Sequence, residues 1–106
     1  MYKLSELVGI RLIDTNNEDL GEIKDVIWDK PSGKCAFVTD DGAYTADKIV
    51  GTDGTTMDVV AATKTDVGET LVDKVAYENT GKYLGKVADV ELGNTMKLFK
   101  VYLEGD

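Results

Sequence analysis

Apolar positions along this chain come in short runs, and almost none recur at helical spacing. β-branched and aromatic residues cluster in stretches separated by Gly, Asp, Asn and Thr, which is the pattern of strands joined by tight turns. Residues 7–13 (LVGIRLI) are predicted as a first strand with a bend at Gly9, and residues 23–28 as a second. The turn KPSG (30–33) leads into a third strand at 34–39, and Asp41-Gly42 is a two-residue hairpin signal before a short strand at 43–46. ADKIV (46–50) reads as one helical turn whose Ile49 and Val50 plug a barrel end, followed by a strand at 57–62. Later strands are expected at 71–77, 84–92 and 97–103, with turns at 78–82 and at Gly93-Asn94. Many short strands at close turn spacing imply an all-β fold, a small barrel or sandwich.

One phrase is written twice. Residues 20–29 read LGEIKDVIWD and residues 84–92 read LGKVADVEL, so that Leu20, Gly21, Asp25 and Val26 return as Leu84, Gly85, Asp89 and Val90, each 64 positions later. Leu7-Val8 likewise returns as Leu71-Val72. Two units make an internal duplication, not a solenoid. Gly21 and Gly85 follow a polar turn and precede a strand, where glycine permits φ > 0 or the close approach of another strand at a sharp corner. Leu20 and Leu84 fit beneath that corner. Strict alternation would place Asp25 on the face of Ile23 and Ile27. Either a β-bulge near Lys24-Asp25 switches faces, or the carboxylate accepts hydrogen bonds from turn N–H groups. A catalytic or metal-binding carboxylate is the competing functional reading of Asp25 and Asp89.

Composition narrows the chemistry. The 106 residues suit one domain with a modest core. A net charge of −8 argues against nucleic-acid binding and against docking on anionic lipid. No apolar run approaches the roughly 20 residues of a membrane span, and the N-terminus lacks a signal-peptide apolar core, so a cytoplasmic protein is expected. There is no histidine, which removes His-based triads, His metal sites and the usual proton shuttle. The single cysteine, Cys35, can form no intrachain disulfide and reads as a small buried hydrophobe. Nothing forms a nucleophile-and-base constellation, a P-loop or a dinucleotide fingerprint. No enzyme and no cofactor are expected.

The linked pattern L-V-G-x-R-L-I-D…LGEIKDVIWD…SGKCAFVTDDG, carried by Gly9, Leu12, Leu20, Gly21, Ile23, Asp25, Val26, Ile27, Asp29 and Gly33, resembles the PRC-barrel family. The resemblance covers residues 4–62, and residues 71–103 are similar to the front of a second copy. Departures there are Asp73 for Gly9, Glu91 for Ile27 and Gly93 for Asp29. The resemblance implies a small SH3-like, PRC-type β-barrel with a duplicated front half, used as a docking or assembly module. The expected organisation is a PRC-barrel-like repeat at 1–62, a connector at 63–70 and a partial second repeat at 71–106. The second repeat either packs on the first or pairs with a second chain.

The leading functional expectation is therefore a non-enzymatic protein-interaction module, self-associating as a dimer, with Phe99 and Tyr102 as candidate interface residues. The alternative is a divalent-cation site in DTNNEDLGEIKD, where Asp14, Asn16, Glu18, Glu22 and Asp25 are spaced as in a calcium loop. Asp19, however, stands where such a loop needs glycine, and its last ligand would be Asp instead of Glu.

Overall fold

The computed structural model describes residues 1–105. The chain runs β1 (Tyr2–Lys3), α1 (Leu4–Leu7), β2 (Arg11–Asp14), β3 (Asp19–Glu22), β4 (Asp25–Trp28), β5 (Cys35–Thr39), β6 (Gly42–Thr45), β7 (Lys48–Thr52) and β8 (Thr56–Val60). It continues through β9 (Thr63–Thr65), β10 (Glu69–Thr70), β11 (Val75–Tyr77), β12 (Tyr83–Leu92) and β13 (Leu98–Leu103). The protein is nearly all β, as its short apolar runs predict.

The strands form three ladders, ordered β10-β4-β5-β6-β9, β3-β2-β8-β7 and β1-β12-β11 with β13 also on β12. All pairings are antiparallel except β2 with β8. Among the described residues the ladders do not close on one another as a continuous barrel. They enclose one core instead. Leu12, Ile23, Val26, Phe37, Met57 and Val59 from the first 62 residues bury together with Val87, Val90, Leu92 and Met96.

Four local expectations are corrected. Residues 7–13 are not one strand: Leu4–Leu7 is a single helical turn, Gly9 lies at φ 93°, and β2 starts at Arg11. The helical turn buries Leu4 and Leu7 on the core. ADKIV is not helical, because β7 pairs antiparallel with β8 from Lys48 onward. Ile49 is buried there, but Val50 is exposed and plugs nothing. The hairpin loop is Asp40-Asp41, and Gly42 is already the first residue of β6. Residues 63–70 are themselves paired, β9 on β6 and β10 on β4.

The 64-residue spacing returns in single hydrogen bonds. Gly9 N–H donates to Ile23 O (2.9 Å) and Ile23 N–H to Ile10 O (2.8 Å). Sixty-four residues on, Asp73 N–H donates to Val87 O (2.8 Å) and Val87 N–H to Lys74 O (2.9 Å). The β2–β3 register Arg11↔Glu22, Leu12↔Gly21, Ile13↔Asp19 returns in β11–β12 as Val75↔Lys86, Ala76↔Gly85, Tyr77↔Tyr83, bulge included. Asp25↔Val38 and Val26↔Phe37 return as Asp89↔Tyr102 and Val90↔Val101. The hairpin after Gly93 is one residue shorter than its counterpart, and a register shift between Glu91 and Leu92 absorbs the difference. Asp73 keeps a left-handed backbone (φ 74°) where Gly9 stands in the first copy. Aspartate tolerates that conformation better than most residues.

The copies also complete one another. The segment leading into the first copy, β1, pairs with β12 of the second (Tyr2↔Leu92, Lys3↔Glu91). The segment leading into the second copy, β10, pairs with β4 of the first (Glu69↔Trp28, Thr70↔Ile27). The tip of the β12–β13 hairpin then inserts beside β5 and β7. Cys35 N–H donates to Met96 O and Ile49 N–H to Asn94 O, both at 2.7 Å.

Candidate functional site

The repeated phrase sits at the two corners. Gly21 has φ 104°, and a Cβ there would stand 3.2 Å from the Thr39 side chain. Thr39, the one buried polar residue among the described residues, lies with its hydroxyl 2.8 Å from Leu20 O and accepts Asp41 N–H at 3.1 Å. Corner and β5–β6 hairpin are thus fastened together. Gly85 repeats the geometry at φ 139° against Leu103, which stands 64 positions after Thr39.

Asp25 and Asp89 follow the corners. In the first copy the ladder breaks at Ile23-Lys24, so Ile23 and Val26 both bury while Asp25 stays half-exposed. In the second copy a bulge between Val87 and Asp89 does the same for Val87 and Val90. Each carboxylate accepts the next N–H, Asp25 from Val26 at 2.7 Å and Asp89 from Val90 at 2.9 Å. Asp89 does more. It accepts Ser5 N–H at 3.0 Å and also the Ser5 hydroxyl, pinning α1 to β12. Removing a carboxylate that satisfies several donors costs more than removing one that satisfies a single donor. Asp89→Ala is expected to lower stability by about 1–3 kcal/mol and Asp25→Ala by about 1 kcal/mol, measured by urea denaturation. Equal losses would mean that the Ser5 contacts contribute nothing.

The residues of the calcium-like spacing are turned onto their own turn. Asp14 accepts Thr15 N–H (2.8 Å) and Asn16 accepts Glu18 N–H (3.2 Å). Asp19 is paired with Arg11 at 2.9 Å, which holds its carboxyl below the usual range. Among the described residues no three acidic or thiol groups gather as a metal-ligand set. In the 51–56 turn, the N–H groups of Thr56 and Thr55 hold the Asp53 carboxyl well below its ordinary value. Burial pushes the Cys35 thiol up to about 12, far from the reactive thiolate. The Tyr44 hydroxyl donates to Asp41 at 2.6 Å, a bond that holds its pKa up at about 12.

The two candidate interface residues point into different surroundings. The Tyr102 hydroxyl donates to Glu91 at 2.7 Å, and the Lys3 and Lys100 ammonium groups lie 4.6 and 4.8 Å from its ring centroid. Phe99 is 60 % exposed, with no such partners. It belongs to a surface that sequence reasoning found only in part. Leu84 is 43 % and Val101 37 % exposed, whereas their counterparts Leu20 and Phe37 are 3 % and 0 %. In the first copy Ile49, Met57 and Val59 join those counterparts in the core. In the second copy the equivalent face lies open. β11 pairs with β12 alone, and β13 meets the β4–β5 turn only at its start, where Leu98 N–H donates to Gly33 O at 3.1 Å; the outer edge of β11, and that of β13 beyond Leu98, are unpaired among the described residues. Tyr77 and Tyr83 stack edge-on at 5.8 Å and are also exposed.

Residues 1–45 match the family model of the PRC-barrel domain. The matched stretch runs from β1 to the end of β6 and contains the first corner, so the family resemblance is supported there. No curated protein matches the chain. No helix among the described residues is long and apolar enough to cross a membrane.

Proposed function

We propose that this chain is a non-enzymatic protein-interaction and assembly module of the PRC-barrel type, and that residues 75–103 carry its docking surface. One observation carries the reading. Of ten exposed large apolar side chains, six (Val75, Tyr77, Tyr83, Leu84, Phe99 and Val101) belong to the second copy. Apolar exposure concentrated in this way, beside open strand edges, marks an interaction surface more often than a catalytic one. The electrostatics agree: an acidic chain suits neither nucleic acid nor anionic lipid. A groove of about 640 Å³ is lined by Ile27, Val38, Ala43, Lys64 and Asp66.

The test is affinity capture from the native cell with the wild-type chain and with the Leu84→Lys/Phe99→Lys double variant as baits. Wild type is expected to retain a partner that the variant loses, while both baits show the same far-UV circular dichroism. Identical captures by two folded baits would overturn the assignment of the surface.

A further inference from the structure

We infer that the open edge of β13 is built to pair with the β13 edge of a second copy of this chain, antiparallel and about a two-fold axis at Val101. This rests on the interaction reading above and names the occupant of the same surface.

Strand polarity gives the first argument. In the first copy β5 receives β6 antiparallel, Phe37 opposite Tyr44 and Thr39 opposite Gly42. A two-residue hairpin makes Thr39↔Gly42, and hence Phe37↔Tyr44, the hydrogen-bonded pairs. Val101 and Leu103 stand 64 residues after Phe37 and Thr39, so their N–H and C=O groups point to the open side. Glu104 N–H points the other way, to Lys86 O at 2.8 Å, as the alternation requires. The edge is therefore set to accept an antiparallel strand.

Charge selects which strand. Residues 1–70 carry seven Lys/Arg and fourteen Asp/Glu, whereas residues 71–106 carry five Lys and six Asp/Glu. The acidic charge thus lies almost wholly in the first part, and the exposed apolar face is on the nearly neutral part. A basic partner would be drawn to the first part instead. Two copies meeting through their β13 edges bring neutral surfaces together. The chain is elongated, 46 × 26 × 22 Å, so the acidic regions can stay more than a Debye length of about 8–10 Å apart.

Register gives the third argument. Centring on Val101 places Lys100 of each chain opposite Tyr102 of the other, a ring that already attracts ammonium groups. Glu104 lies diagonal to Lys100. No like charges face each other. Centring on Lys100 would oppose two ammonium groups directly.

Sedimentation equilibrium of the purified full chain across micromolar concentrations tests this. The expected result is a dimer that Val101→Lys weakens by about tenfold or more, since two ammonium groups would meet on the axis. Under oxidant, Val101→Cys is expected to give a disulfide-linked dimer, because hydrogen-bonded antiparallel partners lie about 5.5 Å apart at Cα. Val75→Cys, on the other open edge, is expected to remain monomeric on denaturing gels. The buried native Cys35 stays silent in both. Should Val101→Lys fail to fold, the cysteine pair decides alone. A wild-type monomer throughout the range, or cross-linking at Val75 but not at Val101, would overturn the inference. A monomer that still captures a foreign protein lost with Leu84→Lys/Phe99→Lys would overturn self-pairing and leave the interaction reading standing.

Discussion

Gly68→Ala is expected to destabilise the protein by about 2–5 kcal/mol, combining a strained backbone with a clash that cannot relax cheaply. Gly68 sits at φ 131°, outside the range of L side chains, and a Cβ there would lie 2.9 Å from the Trp28 carbonyl carbon and 3.0 Å from its oxygen. Those atoms are backbone of β4, pinned by β5 on one side and β10 on the other. Gly68 must be this close because Glu69, its neighbour, pairs with Trp28. Gly54 is the control: it too has positive φ (93°), but a Cβ meets nothing within 4 Å. Gly54→Ala should therefore show only the conformational penalty, about 1–2 kcal/mol. Chemical denaturation of both variants checks the difference. Equal losses would mean that β10 does not press on β4.

Leu92→Ala is expected to cost about 2–5 kcal/mol and to shift the unfolding of the whole molecule, not of its second half alone. Leu92 is fully buried, in the same core as Phe37, Leu12 and Met57. Its strand is held by β1, and Met96, four residues on, accepts a hydrogen bond from Cys35. The sole tryptophan, Trp28, lies in the first copy and so reports on residues remote in sequence from the mutation. Its fluorescence midpoint should fall together with the far-UV signal in one transition. If the Trp28 midpoint stayed at the wild-type value, the copies would be separate folding units.

How far the sequence reveals this molecule differs from element to element. The LG…DV phrase exposes the duplication, because corner glycines and strand-entry aspartates answer local backbone demands and are written where they act. The turn at Gly33 is legible for the same reason, but the tight Gly93-Asn94 turn is not formed: the connection runs over 93–97 and Met96 takes the left-handed backbone (φ 69°). The helical turn Leu4–Leu7 is not legible. Four residues carry too little periodicity, and no side chain caps its N-terminus. β7 escapes because ADKIV has no alternation, and its strand state is imposed by β8. Long-range pairing is the least legible. Nothing local announces that β2 lies parallel to β8, or that Tyr2 finds Leu92. The candidate site is half visible: Phe99 stands out as an apolar residue on a terminal strand. The exposure of Leu84, by contrast, depends on what fails to cover it, a property of the fold and not of the phrase.

The exchange of leading segments bears on how the chain acquires its structure. Tyr2 cannot be placed until Leu92 exists, so β1 must wait until β12 has been made. Closing so long a loop adds little thermodynamic cost, about 0.6 kcal/mol per doubling of length. It does, however, raise the mean sequence separation of contacts, which slows folding. During synthesis the outer edge of β4 likewise stands bare until Glu69-Thr70 arrives. Nascent chains crowded on one message would then present complementary unfinished edges to each other, and the strand exchange seen within one chain could take place between two.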